Sequence, residues 1–412
     1  MEEGQVRVSL FRQRVFGGLW TGSIASSIGS SAGMLAINWL VYEATGSAFD
    51  VALMGLAGLV PRIVFGIFSG ALADRYSRLR LMVLADGLRA AAMVAFALSL
   101  VLSGFHLFVV LFAVFVLGVG QSLFRPAINS FLPTAVSHED LGTANGLFSA
   151  AQEVTSIVGS PLGGILIGTV GVAATLLFNS ASYITSGLLI IFVALSISAR
   201  LPKSTSRPER VPFAEQLKGG FSYVNRERGL LKITIASFGA NFFLTMFITF
   251  FVIYVYDVLK QGPLMFGILA AAVSTGFGTG SLLVGRTHTE RRFGTWFGVL
   301  WGIAGFSMLG VVFAPSTIIA AVFLFLFGLF GGYGNTTFFT GVQKFVPNNV
   351  LGRYLSLDEV GSLGAGPAGQ LAGGLLIAAS GIGFDYTIAA IGTIAFCLGL
   401  LLFPDVRALK VA

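Results

Sequence analysis

Cysteine is nearly absent. Cys397 stands alone among 412 residues, so no internal disulfide can form and the redox state of the compartment leaves no mark on the chain. Histidine is almost as scarce: His106, His138 and His288 fall in three separate loops, and no HExxH pairs two of them on one helix. No GxxxxGKS or GxxxxGKT stretch is present, which excludes ATP use through a phosphate loop. No short apolar stretch followed by a small-residue cleavage site opens the chain, so the first apolar segment reads as a retained span. Above all, charge is missing: 10% of residues are charged, against about 25% in a soluble globular domain. A soluble enzyme is excluded, and a membrane-embedded one would need clustered catalytic or metal-ligating residues that this chain lacks.

What is present is apolar sequence, 55% of the whole, and 39 phenylalanines. Segments long enough to cross about 30 Å of hydrocarbon as helix lie near 15–41, 48–72, 80–103, 106–128, 142–168, 171–197, 230–256, 264–285, 294–313, 316–340, 353–379 and 382–403. The alternation of a lipid-facing barrel is absent, and only helices or closed barrels satisfy their backbone in lipid. The chain therefore reads as an all-α integral membrane protein with twelve transmembrane helices.

The few charges fix an expected orientation. Of 25 lysines and arginines, Arg62, Arg89 and Arg125 lie in or at the edge of spans and Lys260 falls in a loop opposite the N-terminus; the others sit in the N-terminal arm, alternate loops and the C-terminal tail. The positive-inside rule then makes both termini cytoplasmic in a plasma membrane, with Glu43, Asp50, Asp257 and Asp385 on the outer side. The net charge of +7 follows from that topology and from attraction to the inner leaflet, not from nucleic-acid binding.

Residues 199–228 are polar, basic and proline-containing, and divide the spans six and six. They are the expected cytoplasmic linker between an N-terminal bundle, 1–198, and a C-terminal bundle, 229–412. Within the linker Phe213, Leu217, Phe221 and Val224 recur at helical spacing, which suits either a short helix on the inner surface or a solvated loop. The two bundles share a repeat. GVGQSLFRPAINSFLP (118–133) lies without a gap on GYGNTTFFTGVQKFVP (332–347), and after a four-residue deletion Gly163 and Gly164 fall on Gly373 and Gly374. Similarity at the fourth and fifth spans thus recurs at the tenth and eleventh, as two parallel six-helix repeats require.

GALADRYSRLR (70–80) puts one acid and three bases between two apolar runs. With the twelve spans and the central linker, it resembles the signature loop of the major facilitator superfamily. TGSAFDVALMGL (45–56), ADGLRA (85–90) and FRPAINSFLP (124–133) are similar to its drug-efflux branch, which includes macrolide and enterobactin exporters. The resemblance implies two pseudo-symmetric bundles working by alternating access as a monomer, with no cofactor. It implies a conformational latch at Gly70, Asp74, Arg75, Arg78 and Arg80: the acid lies by the N-terminal end of span eleven, near Gly352 to Tyr354, with Arg125 a possible ion partner. A positive-inside anchor without a switching role stays open. SPLGG (160–164) resembles the antiporter motif, with Ser160 replacing its usual glycine, and is equally a packing element in which Pro161 bends the helix.

Glu153 lies about 16 Å into span five, near mid-membrane, on a face shared with Gly142, Gly146, Ser149, Ser156 and Ser160. It is the first choice for proton coupling; a fixed salt bridge with Arg62 is the alternative. Asp358 and Glu359 near the start of span eleven could titrate instead. Asp86 could also, although Asp86 and Arg89 are spaced as a structural ion pair. Family geometry places spans one, four, seven and ten around a central cavity, making Asn38, Gln121, Phe124, Asn241, Phe242, Thr245, Met246, Tyr333 and Asn335 the substrate candidates. An aromatic, weakly polar cavity suits a hydrophobic or amphipathic small molecule, and a lipid or lysolipid would use the same scaffold.

Overall fold

The computed structural model describes residues 14–137, 140–197, 213–287 and 289–410, and every regular element among them is helical. In chain order these are α1 (Arg14–Thr45), α2 (Ala48–Arg75), α3 (Arg78–Ser103) and α4 (Leu107–Ala135). A helical run, Leu141–Ile197, is broken at Gly171, where φ is 84° and ψ is 172°. A straight helix of 57 residues would be about 85 Å long, nearly three times the hydrocarbon thickness. The left-handed glycine therefore divides it into two spans, α5 (141–170) and α6 (172–197), at little cost in backbone strain. There follow α7 (Phe213–Arg226), α8 (Arg228–Thr249) continued by Phe251–Ile253 and a π-helical turn at Tyr254–Val258, α9 (Pro263–Thr287), α10 (Phe293–Val312), α11 (Thr317–Phe345), α12 (Asn348–Ser380) and α13 (Ile382–Gly399).

Ten helical stretches are apolar and long enough to cross a membrane, and the one covering Leu141–Ser196 holds two spans. The remaining span is α12, whose 33 residues reach across the bilayer although Arg353, Asp358 and Glu359 sit in its first four turns. The fold is thus the twelve-span, all-helical one. Phe108, Leu102 and Ile318 stand fully in the open, a cost in water and none against lipid. Several helices overrun the apolar windows. α4 continues to Ala135 and α12 begins at Asn348, five residues before the predicted span.

The chain forms two compact units: Met1–Thr205 with Gln261–Ala271, and Ser206–Lys260 with Ala272–Ala412. In the first, small residues let backbones meet. Gly163 of α5 abuts the backbone of Ala32 in α1, and Gly118 of α4 abuts the carbonyl of Gly58 in α2 beside the Pro61 ring. Residues 261–271, assigned to this unit, pack on the SPLGG stretch: Gly164 lies against Pro263 and Leu264, and Gly267 against Ser160 and Pro161. In the second, α9 and α11 meet backbone to backbone, Gly276 and Gly280 facing Phe325 and Leu329 while Gly328 and Gly332 face Val273 and Phe277. Of the two readings of the linker's apolar spacing, the helix is the one formed: α7 seats Gly219 and Gly220 on Arg353 at the start of α12 and buries Val224, leaving Phe221 exposed.

Candidate functional site

The first unit carries a buried polar cluster where α3, α4 and α6 meet. Asp86 and Arg89, one turn apart on α3, are 1% and 4% exposed. The Arg89 guanidinium donates from Nη2 to Asp86 Oδ1, from Nη1 to Gln121 Oε1 at 3.3 Å and from Nε to the Ala85 carbonyl at 3.3 Å. It also lies between two rings, 4.8 Å from the Phe124 centroid and 4.5 Å from that of Tyr183. Tyr183 in turn shares a 2.8 Å hydrogen bond with Ser30 of α1. Gly120 makes the room, since a Cβ there would meet the Arg89 side chain. The cluster thus compensates a buried cation by one carboxylate, two acceptors and two π faces, as a charge so placed requires.

The sequence-predicted cavity residues divide accordingly. Gln121 is half-buried and held by Arg89, while Phe124 is buried beneath the guanidinium and belongs to the core around Leu19, Met82 and Ile190. Asn38 is half-buried on α1 and donates to the Met34 carbonyl at 2.9 Å. In the second unit Asn241 of α8 donates to the Ser362 carbonyl of α12 at 3.2 Å, and Thr245 back-bonds to the Asn241 carbonyl at 2.7 Å. Phe242 stacks edge-on against Phe243, and Met246 is fully buried. Tyr333 of α11 donates to Thr287 of α9 at 2.6 Å, and Asn335, two residues on, is half-buried.

Of the latch, Arg78 is half-buried and Arg80 exposed at the start of α3, and Arg125 is exposed on α4. The side chains of Asp74 and Arg75 lie outside the described residues, although the α2 backbone runs through them and Gly70. Arg62 and Arg125 are within electrostatic reach of each other. The N-terminal end of α12 is at Asn348, not at 352–354, and Tyr354 is instead buried and hydrogen-bonded to Thr234 of α8 at 3.1 Å. Of the coupling candidates, the side chains of Glu153 and Glu359 are outside the described residues, Asp358 is buried beside Tyr354, and Asp86 is committed to Arg89.

Sequence reasoning missed two acids. Glu290, in the connection between α9 and α10, is buried and accepts from Lys344 of α11 at 3.0 Å. Asp385 was placed with the outer loop acids. It is 0% exposed, in the first turn of α13. Only the following apolar run signalled that it could be drawn inside. Beyond the spans, the Lys232 ammonium, 2.7 Å away, holds the Asp405 carboxyl below its ordinary range.

Twelve helical spans in two repeat-related halves are the architecture of a membrane transporter of the major facilitator type. The chain belongs to the transmembrane secretion effector family of that superfamily, whose profile its residues 6–410 match. It is 24% identical over 402 residues to macrolide efflux protein A of Streptococcus pyogenes, covering 93% of both chains. It is 26% identical over 402 residues to the multidrug efflux pump Tap of Mycobacterium tuberculosis, covering 95% of this chain and 93% of that one. Among solved structures, a bacterial homolog of the human lysosomal transporter Spinster, in an inward-facing and unoccupied conformation, superposes with a TM-score of 0.71 at 16% identity over 95% of each chain. A bacterial homologue of the iron transporter ferroportin gives 0.68 at 15% identity, over 96% of this chain and 99% of that one. At those identities the structures share the fold. The family is one of transporters and not of enzymes, and its members are multi-pass membrane proteins that handle small molecules.

Proposed function

We propose that this protein is a proton-coupled exporter of hydrophobic or amphipathic small molecules, acting as a monomer in the plasma membrane with both termini cytoplasmic. The observation that carries the reading is whole-length similarity to two efflux proteins of different organisms. Alternating access would move bundle 1–198 against bundle 229–412 about the linker 199–228. Half-buried polar groups such as Asn38, Gln121, Asn241 and Asn335, with Phe242 and Tyr333 nearby in sequence, support a weakly polar substrate. Membrane lipid is solvent for the exposed phenylalanines and leucines.

Glu153 is the proposed coupling acid, with Asp358 and Glu359 as substitutes; Asp86 is the least suited, since protonating it in each cycle would strip Arg89 of its counter-charge. Asp74 is the proposed latch, with Arg75, Arg78, Arg80 and Arg125 holding the cytoplasmic ends of neighbouring helices. Two variants test these roles. Glu153→Gln keeps size and hydrogen bonding without titrating, and should abolish pH-gradient-driven transport while leaving ligand binding and downhill exchange. Folded Glu153→Gln protein with full gradient-driven transport overturns the assignment. Asp74→Asn should shift spin-label distances across the cytoplasmic ends toward the open state, and an unchanged distribution leaves only an anchor.

A further inference from the structure

Asp385 is a buried acid that neither the buried clusters nor the proposed cycle uses. It is 0% exposed, and neither carboxyl oxygen has a hydrogen-bond partner. Gly373 of α12 faces it so closely that a Cβ there would lie 3.0 Å from Oδ1 and against the Phe250 ring. Tyr386, whose ring stacks 4.2 Å from Phe247 and 5.5 Å from Tyr254, closes the surroundings. Two tyrosines stand close by, and α8 carries its charges, Arg228 and Lys232, in its first two turns, with Lys232 paired to Asp405. The facing stretches of α10 (293–312) and α12 (360–380) contain no Asp, Glu, Lys, Arg or His, and Asp257, at the end of the π-helical turn, lies 3.9 Å from Lys260. An ionised carboxylate here would have only the N-terminal end of α13 to offset its charge in an otherwise apolar site.

The internal repeat shows what the fold itself needs at this position. The register that lays Gly163 and Gly164 on Gly373 and Gly374 also lays Gly171 on Gly381, and both of these are left-handed, with φ of 84° and 83°. It then lays Thr175 on Asp385. Thr175 is also 0% exposed, and its hydroxyl donates to the Gly171 carbonyl at 2.9 Å. The N-terminal bundle thus fills the position with a neutral hydrogen-bond donor, so the packing has no need of an acid. A carboxylate accepts only, whereas a carboxylic acid has one O–H to give. Protonated Asp385 can do for the Gly381 carbonyl what Thr175 does for Gly171; ionised Asp385 cannot.

We propose that Asp385 is a proton-binding site of the C-terminal bundle, loaded while the start of α13 is packed as described and exchanging its proton with water on the side of the α12–α13 turn. A metal cation is a poor occupant: sodium- or calcium-like ions take about six or more oxygen ligands, and no group of three Asp, Glu, His or Cys side chains gathers among the described residues. The site's place in a transport cycle rests on the proton-coupled reading, with loading from the outer side under the proposed orientation. Its occupancy does not, and is tested without substrate or gradient.

Dicyclohexylcarbodiimide, which attacks protonated carboxyls in apolar surroundings, is applied to the purified wild-type protein from about pH 5 to about pH 9, and Asp385 modification is read by peptide mass spectrometry. The result expected is labelling at low pH that falls about tenfold for each pH unit above its midpoint. The infrared carboxylic-acid band should fade over the same range and lose that component in Asp385→Thr, which copies the other bundle, and in Asp385→Asn. Absence of labelling at every pH, labelling indifferent to pH, protection by sodium or potassium at fixed pH, or an undiminished band in Asp385→Thr would each overturn the proposal. A wild-type protein that labels as expected yet shows no gradient-driven transport would refute the coupling reading alone.

Discussion

Replacing Asp86 by asparagine separates a structural acid from a working one. The substitution keeps the shape of the side chain and removes the charge facing Arg89, which remains 4% exposed. Two acceptors survive, Gln121 Oε1 and the Ala85 carbonyl, together with the faces of Phe124 and Tyr183. Ring contacts of this kind contribute up to about 2 kcal/mol each when desolvated, and they are already present in the wild type, so they offset none of the loss. Breaking a buried pair by removing one partner costs roughly 3–5 kcal/mol. For a unit of about 200 residues, where 1 kcal/mol moves the melting temperature by about 2–4 °C, that is a fall of roughly 6–20 °C. The double variant Asp86→Leu, Arg89→Met removes both charges and should recover most of the loss, because apolar replacements of a buried pair are often neutral. Thermal unfolding followed by size-exclusion chromatography in detergent reads both. An Asp86→Asn protein as stable as wild type but inactive in gradient-driven transport would refute the structural assignment and return Asp86 to the coupling candidates.

Close backbone approach gives a sharper contrast. Gly280→Val should abolish recovery of folded protein because its side chain would enter the Leu329 carbonyl of α11, while Gly285→Val, five residues on and facing open space, should leave yield and melting temperature close to wild type; equal behaviour of the two would refute the α9–α11 packing. The Lys232–Asp405 pair predicts a pH dependence. Since Lys232 depresses the folded-state carboxyl, its contribution is present above the ordinary Asp value of about 3.9 and is lost as pH falls through the folded one. Lys232→Ala should therefore lower the melting temperature at neutral pH and converge with wild type in acid, and a difference constant across that range would contradict the pairing.

Much of the architecture is legible because lipid leaves the backbone few choices: apolar windows longer than about 20 residues must be helices, and Gly163, Gly164, Gly373 and Gly374 announce the repeat before any packing is known. The Asp86–Arg89 pair is likewise readable from its spacing. Hydropathy fails where polarity is internal. α12 starts five residues early because Asn348 and Asn349, though polar, are already inside the helix. Asp385 reads as a loop acid because a charge one turn after Gly381 ordinarily faces water. That it turns inward depends on the missing side chain of Gly373, which is distant in sequence. Glu290 escaped because it does not stand four residues after a glycine as Asp74 does after Gly70, and the compensating Lys344 lies on another helix. Placement of Phe124 and Met246 in cores follows from a general ambiguity: an aromatic or thioether side chain on an inward-facing helix fits a core as well as a cavity.

The central claim is that a proton gradient drives small-molecule export through this chain. Its most direct measurement is uptake of a fluorescent amphipathic cation or a radiolabelled macrolide into proteoliposomes holding the purified protein with its cytoplasmic side outward, under an imposed pH gradient, acid inside. Substrate should accumulate above its external concentration without ATP, and addition of a proton ionophore should release it. Accumulation that persists after the gradient is collapsed, or none for any hydrophobic or amphipathic compound in protein that binds it, would contradict the account.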